Sequence, residues 1–201
     1  MRIDTVEKLR TLYPAPKERA IKKQLSLLDE HCQKFIQLSP FAVLASCNAE
    51  KTMDASPRGG APGFIKVPDH RTLLIPDSPG NNRLDTLENI IGSGMIGLIF
   101  FIPGIDETLR VNGTAHLSCA EEKIQIFSNE KRLPKLVIEV MVTEAYLHCA
   151  KALMRSALWE SASQVDRSLL PTMGKIITEQ TRIEVPCETQ EEMVARYKRE
   201  L

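Results

Sequence analysis

The stretch ETLRVNGTAHLSC, residues 107 to 119, alternates with a period of two: Leu109, Val111, Gly113, Ala115 and Leu117 fall on one side of an extended chain, and Thr108, Arg110, Asn112, Thr114 and His116 on the other. A strand with one packed face and one wet face has this pattern, and a one-residue slip in pairing would invert it. Just upstream, MIGLIFFIPG is almost wholly apolar yet too short to span a bilayer, so it reads as a buried central strand. Downstream, KLVIEVMVTEAYLHC alternates more loosely and supplies another long strand.

The remaining segments follow the same logic. FAVLASCNA and KTMDASPRGG read as a strand pair, the second broken at Pro57 and the double glycine, and RTLLIPD as a strand ending at Pro76. Leucine and isoleucine at helical spacing from Arg83 to Ile91 predict a short helix closed by Gly92. Residues 4 to 38 read as helical around a Pro14 to Pro16 break, CAKALMRSALWE as a helix, and EEMVARYKREL as a charged C-terminal helix. About six strands without βαβ alternation make an antiparallel sheet. The predicted class is mainly β with peripheral helices, a small closed or split barrel. It comprises an N-terminal helical cap (1–38), a core (39–160) and a C-terminal helical extension (161–201).

Composition narrows the function. The 26 Lys and Arg balance 26 Asp and Glu, so no global field attracts nucleic acid or an anionic membrane, and any anion must be held locally. Without a long apolar run or a signal-type block in the first twenty residues, the chain is expected to be soluble and cytoplasmic. The five cysteines are scattered, which favours reduced thiols, and the four histidines show no metal-binding spacing. Hydrolase, Walker and Rossmann signatures do not accompany the strands.

Residues 54 to 90 carry the chemistry. Arg58 follows Ser56 and Pro57 and precedes two glycines that permit close approach of a ligand. Arg83 follows Gly80, Asn81 and Asn82 at a predicted helix start, where free N–H groups and the helix dipole favour an anion. The guanidinium fork suits phosphate, with Ser56 and Asn82 as neutral donors. Ordinary turn chemistry with solvated arginines accounts for the same spacing.

The runs DASPRG, LLIPDSPGNNRLDTLENI and GLIFFIPGIDETLRVNGTA together resemble the FMN-binding split-barrel family related to pyridoxamine 5'-phosphate oxidase, over roughly residues 35 to 160. The resemblance implies that Ser56 and Arg58 reach the phosphate and ribityl chain of FMN, that Ile75, Pro76 and Asp77 border the flavin, and that Asn82 with Arg83 hold the phosphate. It also implies a homodimer with the flavin at the subunit interface, and a polar side chain from ETLRVNGTA at the ring. Glu107, Thr108 and Arg110 are the candidates there; Thr108 and Arg110 share a strand face, and a cation near the ring would stabilise the anionic reduced flavin. Lys151, Arg155 and Trp159 are spaced for one helical face, and the resemblance makes Arg155 and Trp159 further cofactor candidates. The implied activity is an oxidoreductase acting on a small molecule, with NADH or NADPH as possible donors. A deazaflavin F420 reductase and a non-enzymatic flavin carrier or sensor stay open, and a haem-handling barrel is disfavoured. The tail ARYKREL lacks the Arg/His-rich ending of vitamin B6 oxidases, so B6 oxidation is not expected.

Overall fold

The computed structural model describes residues 2–78, 80–183 and 188–200. The chain forms two compact units, 1–159 and 160–201. The first contains seven strands: β1 (Phe41–Cys47), β2 (Met53–Gly59), β3 (Lys66–Asp69), β4 (Thr72–Pro76), β5 (Met95–Ile102), β6 (Ile105–Ser118) and β7 (Val137–His148). They form one sheet in the order β2-β1-β5-β6-β7-β4-β3, with every neighbouring pair antiparallel. The hairpins β1–β2, β3–β4 and β5–β6 join sequence neighbours; in the last, Gly104 takes the left-handed conformation that the tight turn requires (φ 83°). The chain therefore builds a mainly antiparallel split barrel with peripheral helices.

One face of the sheet packs the core. Ala42 and Leu44, Leu73 and Ile75, Ile96, Leu98 and Phe100, Leu109 and Val111, and Ile138 and Val140 are all buried in a single cluster. Helix α1 (Val6–Arg10) and helix α2 (Glu18–Lys22) stay outside it, whereas α3 (Glu30–Leu38) contributes Cys32, Phe35 and Ile36, and α4 (Asp85–Ser93) contributes Leu87 and Ile90. Each fully buried Leu, Ile or Phe stabilises the fold by about 1.5–3 kcal/mol. Asp29 starts α3 by accepting the Cys32 N–H at 2.8 Å, and burial pushes the Cys32 thiol up to about 12. A smaller cluster of Leu74, Phe127 and Val137 fills the other side of β4 and β7, beside α5 (Glu121–Ile124). The unit ends with α6 (Lys151–Ser156); the second unit holds α7 (Met173–Thr181) and α8 (Gln190–Glu200). Among the described residues no helix is long and apolar enough to cross a membrane.

Four local expectations are corrected. The helical reading of 4–38 fails around Leu25, which is extended and exchanges both backbone hydrogen bonds with Ala145, at 2.9 and 2.8 Å. Helix α4 closes at Gly94, the residue with φ 67°, and not at Gly92. The short KVPD segment forms β3, making seven strands and not six; its length and Pro68 hid it. Strand β5 is buried on one face only: Ile96, Leu98 and Phe100 point inward, while Met95 and Ile99 are exposed. The loose alternation of β7 has a separate cause, a bulge in which Asn112 lies opposite Glu144 and Gly113 opposite Val142, leaving Thr143 as the extra residue. A Cβ on Gly113 would lie 2.2 Å from the Met141 carbonyl oxygen, so this crossing point accepts only glycine without movement of the backbone.

Candidate functional site

Strand β2 lies at the sheet edge, where Pro57 is tolerated because one side of the strand has no ladder to break. Its exposure alternates: Asp54, Ser56 and Arg58 are half-buried, and Met53, Ala55, Pro57 and Gly59 face solvent. The pairing register carries each face across the sheet. Arg58 lies opposite Ala42, Ala42 opposite Phe100 and Phe100 opposite Leu109, so Asp54, Ser56 and Arg58 rim the packed face.

The first turn of α4 meets this rim. The buried Thr86 hydroxyl donates to Asp54 Oδ2 at 2.6 Å, the Ser56 hydroxyl donates to the same oxygen at 2.9 Å, and the two hydroxyl oxygens are 3.0 Å apart. Arg58 Nη1 donates to its neighbour's Pro57 carbonyl at 2.9 Å, and Nη2 stands 3.5 Å from Thr86 Oγ1. No carboxylate forms an ion pair with Arg58 among the described residues. Burial raises the Asp77 carboxyl above its ordinary range, while the nearby charges of Arg58 and Lys135 pull the other way. Deeper in, Asn89 Nδ2 donates to Ser46 Oγ at 3.0 Å, tying α4 to β1.

The other predicted phosphate residues are placed less tightly. Asn82 is left-handed (φ 59°), and the Arg83 N–H donates to Asn81 Oδ1 at 3.0 Å. Helix α4 begins only at Asp85, so Arg83 precedes it; its exposed side chain pairs with Asp85 at 2.6 Å. The Ile75 side chain is wholly within the core and its backbone pairs with Ile138, whereas Pro76 is half-buried opposite Val137. Of that trio, Asp77 is the one in the electrostatic range of Arg58. Gly60 serves packing: a Cβ there would lie 2.7 Å from the Cβ of Phe64. Sequence reasoning missed Asp54 and Thr86. Asp54 was legible as the next residue of the Ser56 and Arg58 face under period two; Thr86 required the tertiary contact.

A second polar group occupies the opposite face. Thr108 pairs with His148, and Arg110 lies between Ile99 and Tyr146. Arg110 Nη2 donates to Glu144 Oε1 at 2.8 Å, and its guanidinium lies 5.1 Å from the Tyr146 ring centre. Glu144 also accepts from Asn112 and from Gln24, each at 2.5 Å. Lys23 Nζ donates to the Leu147 carbonyl at 2.7 Å and lies 5.1 Å from the same ring, whose centre is 5.0 Å from that of His148. Burial, followed by the charges of Lys23 and Arg110, lowers the affinity of His148 for a proton. Lys23, Glu144 and His148 were also missed, and only Glu144 and His148 share a face with Arg110 that pairing alone reveals. Arg58 and Arg110 therefore belong to opposite faces of one sheet.

Of the helical face expected for Lys151, Arg155 and Trp159, α6 carries Lys151 and Arg155 four residues apart, but Trp159 falls outside the helix. Arg155 Nε donates to the Lys151 carbonyl at 3.0 Å, but Ala157 is left-handed (φ 49°) and turns the chain before Trp159. Trp159 Nε1 instead donates to the Ile105 carbonyl at 2.9 Å, at the start of β6.

Solved structures resemble this chain in fold. A variant of HupZ from Group A Streptococcus superimposes with a TM-score of 0.51 at 18% identity, over 60% of this chain and 99% of that one. An FMN-binding protein from Syntrophomonas wolfei subsp. wolfei gives a TM-score of 0.47 at 9% identity, over 72% of this chain and 97% of that one. No curated protein matches the sequence. The family model for pyridoxamine 5'-phosphate oxidase matches residues 28–149, from the Leu28 core contact through the last residues of β7. That span covers more than half of the chain and contains both the Arg58 rim and the Arg110 face, and on it the chain belongs to the pyridoxamine 5'-phosphate oxidase family.

Proposed function

We propose that the chain is an FMN-binding oxidoreductase that works as a homodimer, with Arg58 as the principal ligand of the FMN phosphate and the flavin at the subunit interface. The observation that carries this reading is Arg58 itself. It is a half-buried guanidinium that forms no ion pair with a carboxylate among the described residues, beside a helix start whose N-cap, Leu84, offers no side-chain cap. An anion there would meet both the fork and the free N–H groups of α4. Asp54 accepts from both the Ser56 and Thr86 hydroxyls, which leaves the phosphate to the Arg58 fork and the N–H groups of α4. Asn82 and Arg83 stand at the entrance to the same helix, where Arg83 is paired with Asp85, and Asp77, at the end of β4, lies within electrostatic range of Arg58.

The homodimer is supported by two features. Phe41, Met53, Met95 and Ile99 expose apolar side chains on the face opposite the core, and the Phe41 and Phe101 rings pack there with centres 5.9 Å apart. The same face carries Thr108 and Arg110, opposite the face that Arg58 rims. Face-to-face pairing of two copies would cover the apolar patch and let Thr108 and Arg110 of one copy approach a flavin held by Arg58 of the other. Arg155 and Trp159 would lie beyond the end of that face. Bound FMN supplies hydride or electron transfer; the chain's residues bind, orient and shield it. Anaerobic mixing of the FMN-loaded protein with NADH or NADPH tests the oxidoreductase assignment. Bleaching of the flavin band is expected, and a flavin that neither nucleotide reduces would favour a carrier or sensor.

A further inference from the structure

We propose that the face around Tyr146 is a subsite for the acidic group of a small organic anion, formed by Lys23, Arg110 and His148. Three nitrogen-bearing side chains from separate segments converge on one aromatic ring: Lys23 and Arg110 each lie 5.1 Å from its centre, and the His148 ring centre is 5.0 Å away. The carboxylate bonded into this group is Glu144, and its oxygens are shared among Arg110, Asn112 and Gln24. Two cations against one carboxylate leave a net positive charge on a partly desolvated patch. The lowered proton affinity of His148 reports that same positive surround, after burial. Arg110 Nε is buried and has no hydrogen-bond partner among the described residues. The half-buried Tyr146 ring offers an apolar platform for the body of the ligand. A planar organic acid matches this combination of cations and ring.

As the substrate site of a flavin enzyme, this subsite rests on the reading above, because Thr108 and Arg110 are the residues expected at the ring. As an anion site it stands alone, so the two can fail separately. The test is calorimetric titration of the full-length protein with benzoate and with phenyl phosphate, with FMN content measured on the same samples. Benzoate should bind saturably, about tenfold more weakly in Lys23→Ala and several-fold more tightly in Glu144→Gln, which removes the competing charge but keeps an acceptor for Asn112. A purely structural role for Glu144 predicts no gain. Benzoate binding with this variant pattern in protein that never takes up FMN would support the subsite and end the flavin reading. Absent saturation, affinity indifferent to both substitutions, or phenyl phosphate binding only with release of FMN would overturn the subsite.

Discussion

Replacing Arg58 with alanine separates ligand binding from folding, because the free protein asks little of this side chain. Its contacts are one hydrogen bond to the adjoining carbonyl at 2.9 Å and a 3.5 Å approach to Thr86. Their loss should cost at most about 1 kcal/mol of stability. A phosphate gripped by the guanidinium fork would lose two charge-assisted bonds, each worth about 1.5–3 kcal/mol before compensation by water. A net loss of about 3 kcal/mol corresponds to a Kd weaker by roughly 100-fold or somewhat more. Arg58→Lys, which keeps the charge but loses the fork, should fall between. Quenching of FMN fluorescence on titration with protein gives the Kd, and thermal melts of the unliganded variants check folding. A Kd within twofold of the parent, with folding intact, would refute the phosphate assignment.

Other perturbations address the remaining parts of the account. Ile99→Glu places a carboxylate in the exposed apolar face of β5, and light scattering should show a monomer with weakened flavin retention; a dimer that keeps its flavin would contradict face-to-face pairing. Gly113→Ala forces a methyl against the Met141 carbonyl at 2.2 Å and should cost about 2–4 kcal/mol in denaturant unfolding, whereas an unchanged midpoint would mean that the bulge relaxes freely. Asp77 has a folded-state pKa raised above its unfolded value, so it favours the fold while protonated and loses that contribution as pH rises through the folded pKa. Asp77→Asn should therefore melt higher than the parent near neutral pH, with the difference vanishing below the ordinary carboxylate range; a difference that grows on acidification would reverse the assigned sign.

The sheet was legible because its signals are local. The period-two pattern of β6 gives the inward set of Leu109, Val111 and Ala115, and the Pro-Gly turn before it fixes the β5–β6 hairpin. The outward face of β5 was not legible, since an unbroken apolar run reads the same whether Ile99 is covered by the protein's own chain or left for another surface. The bulge at Thr143 escaped notice because its cause is the partner strand, where Gly113 allows the Met141 carbonyl to approach. At the site, Ser56 and Arg58 were found through their unusual neighbours Pro57 and Gly59. Asp54 shares their period-two face and could have been read with them, whereas Thr86, and with it the aspartate that gathers two hydroxyls, becomes visible only when α4 has docked on β2. The Tyr146 group lies across three segments, from Lys23 to His148, and no spacing in the chain announces it. Trp159 shows the converse: its helical spacing from Arg155 was real in sequence, but Ala157 ends the helix first.

FMN binding is the property on which the proposed function turns. The most direct measurement is the absorbance spectrum of the purified full-length protein after incubation with FMN and gel filtration, followed by identification of the ligand released on denaturation. The expected result is a yellow protein with a band at ~450 nm that releases about one FMN per chain, and loss of that band in Arg58→Ala. A protein that lacks this band and retains F420 but no FMN would contradict that reading.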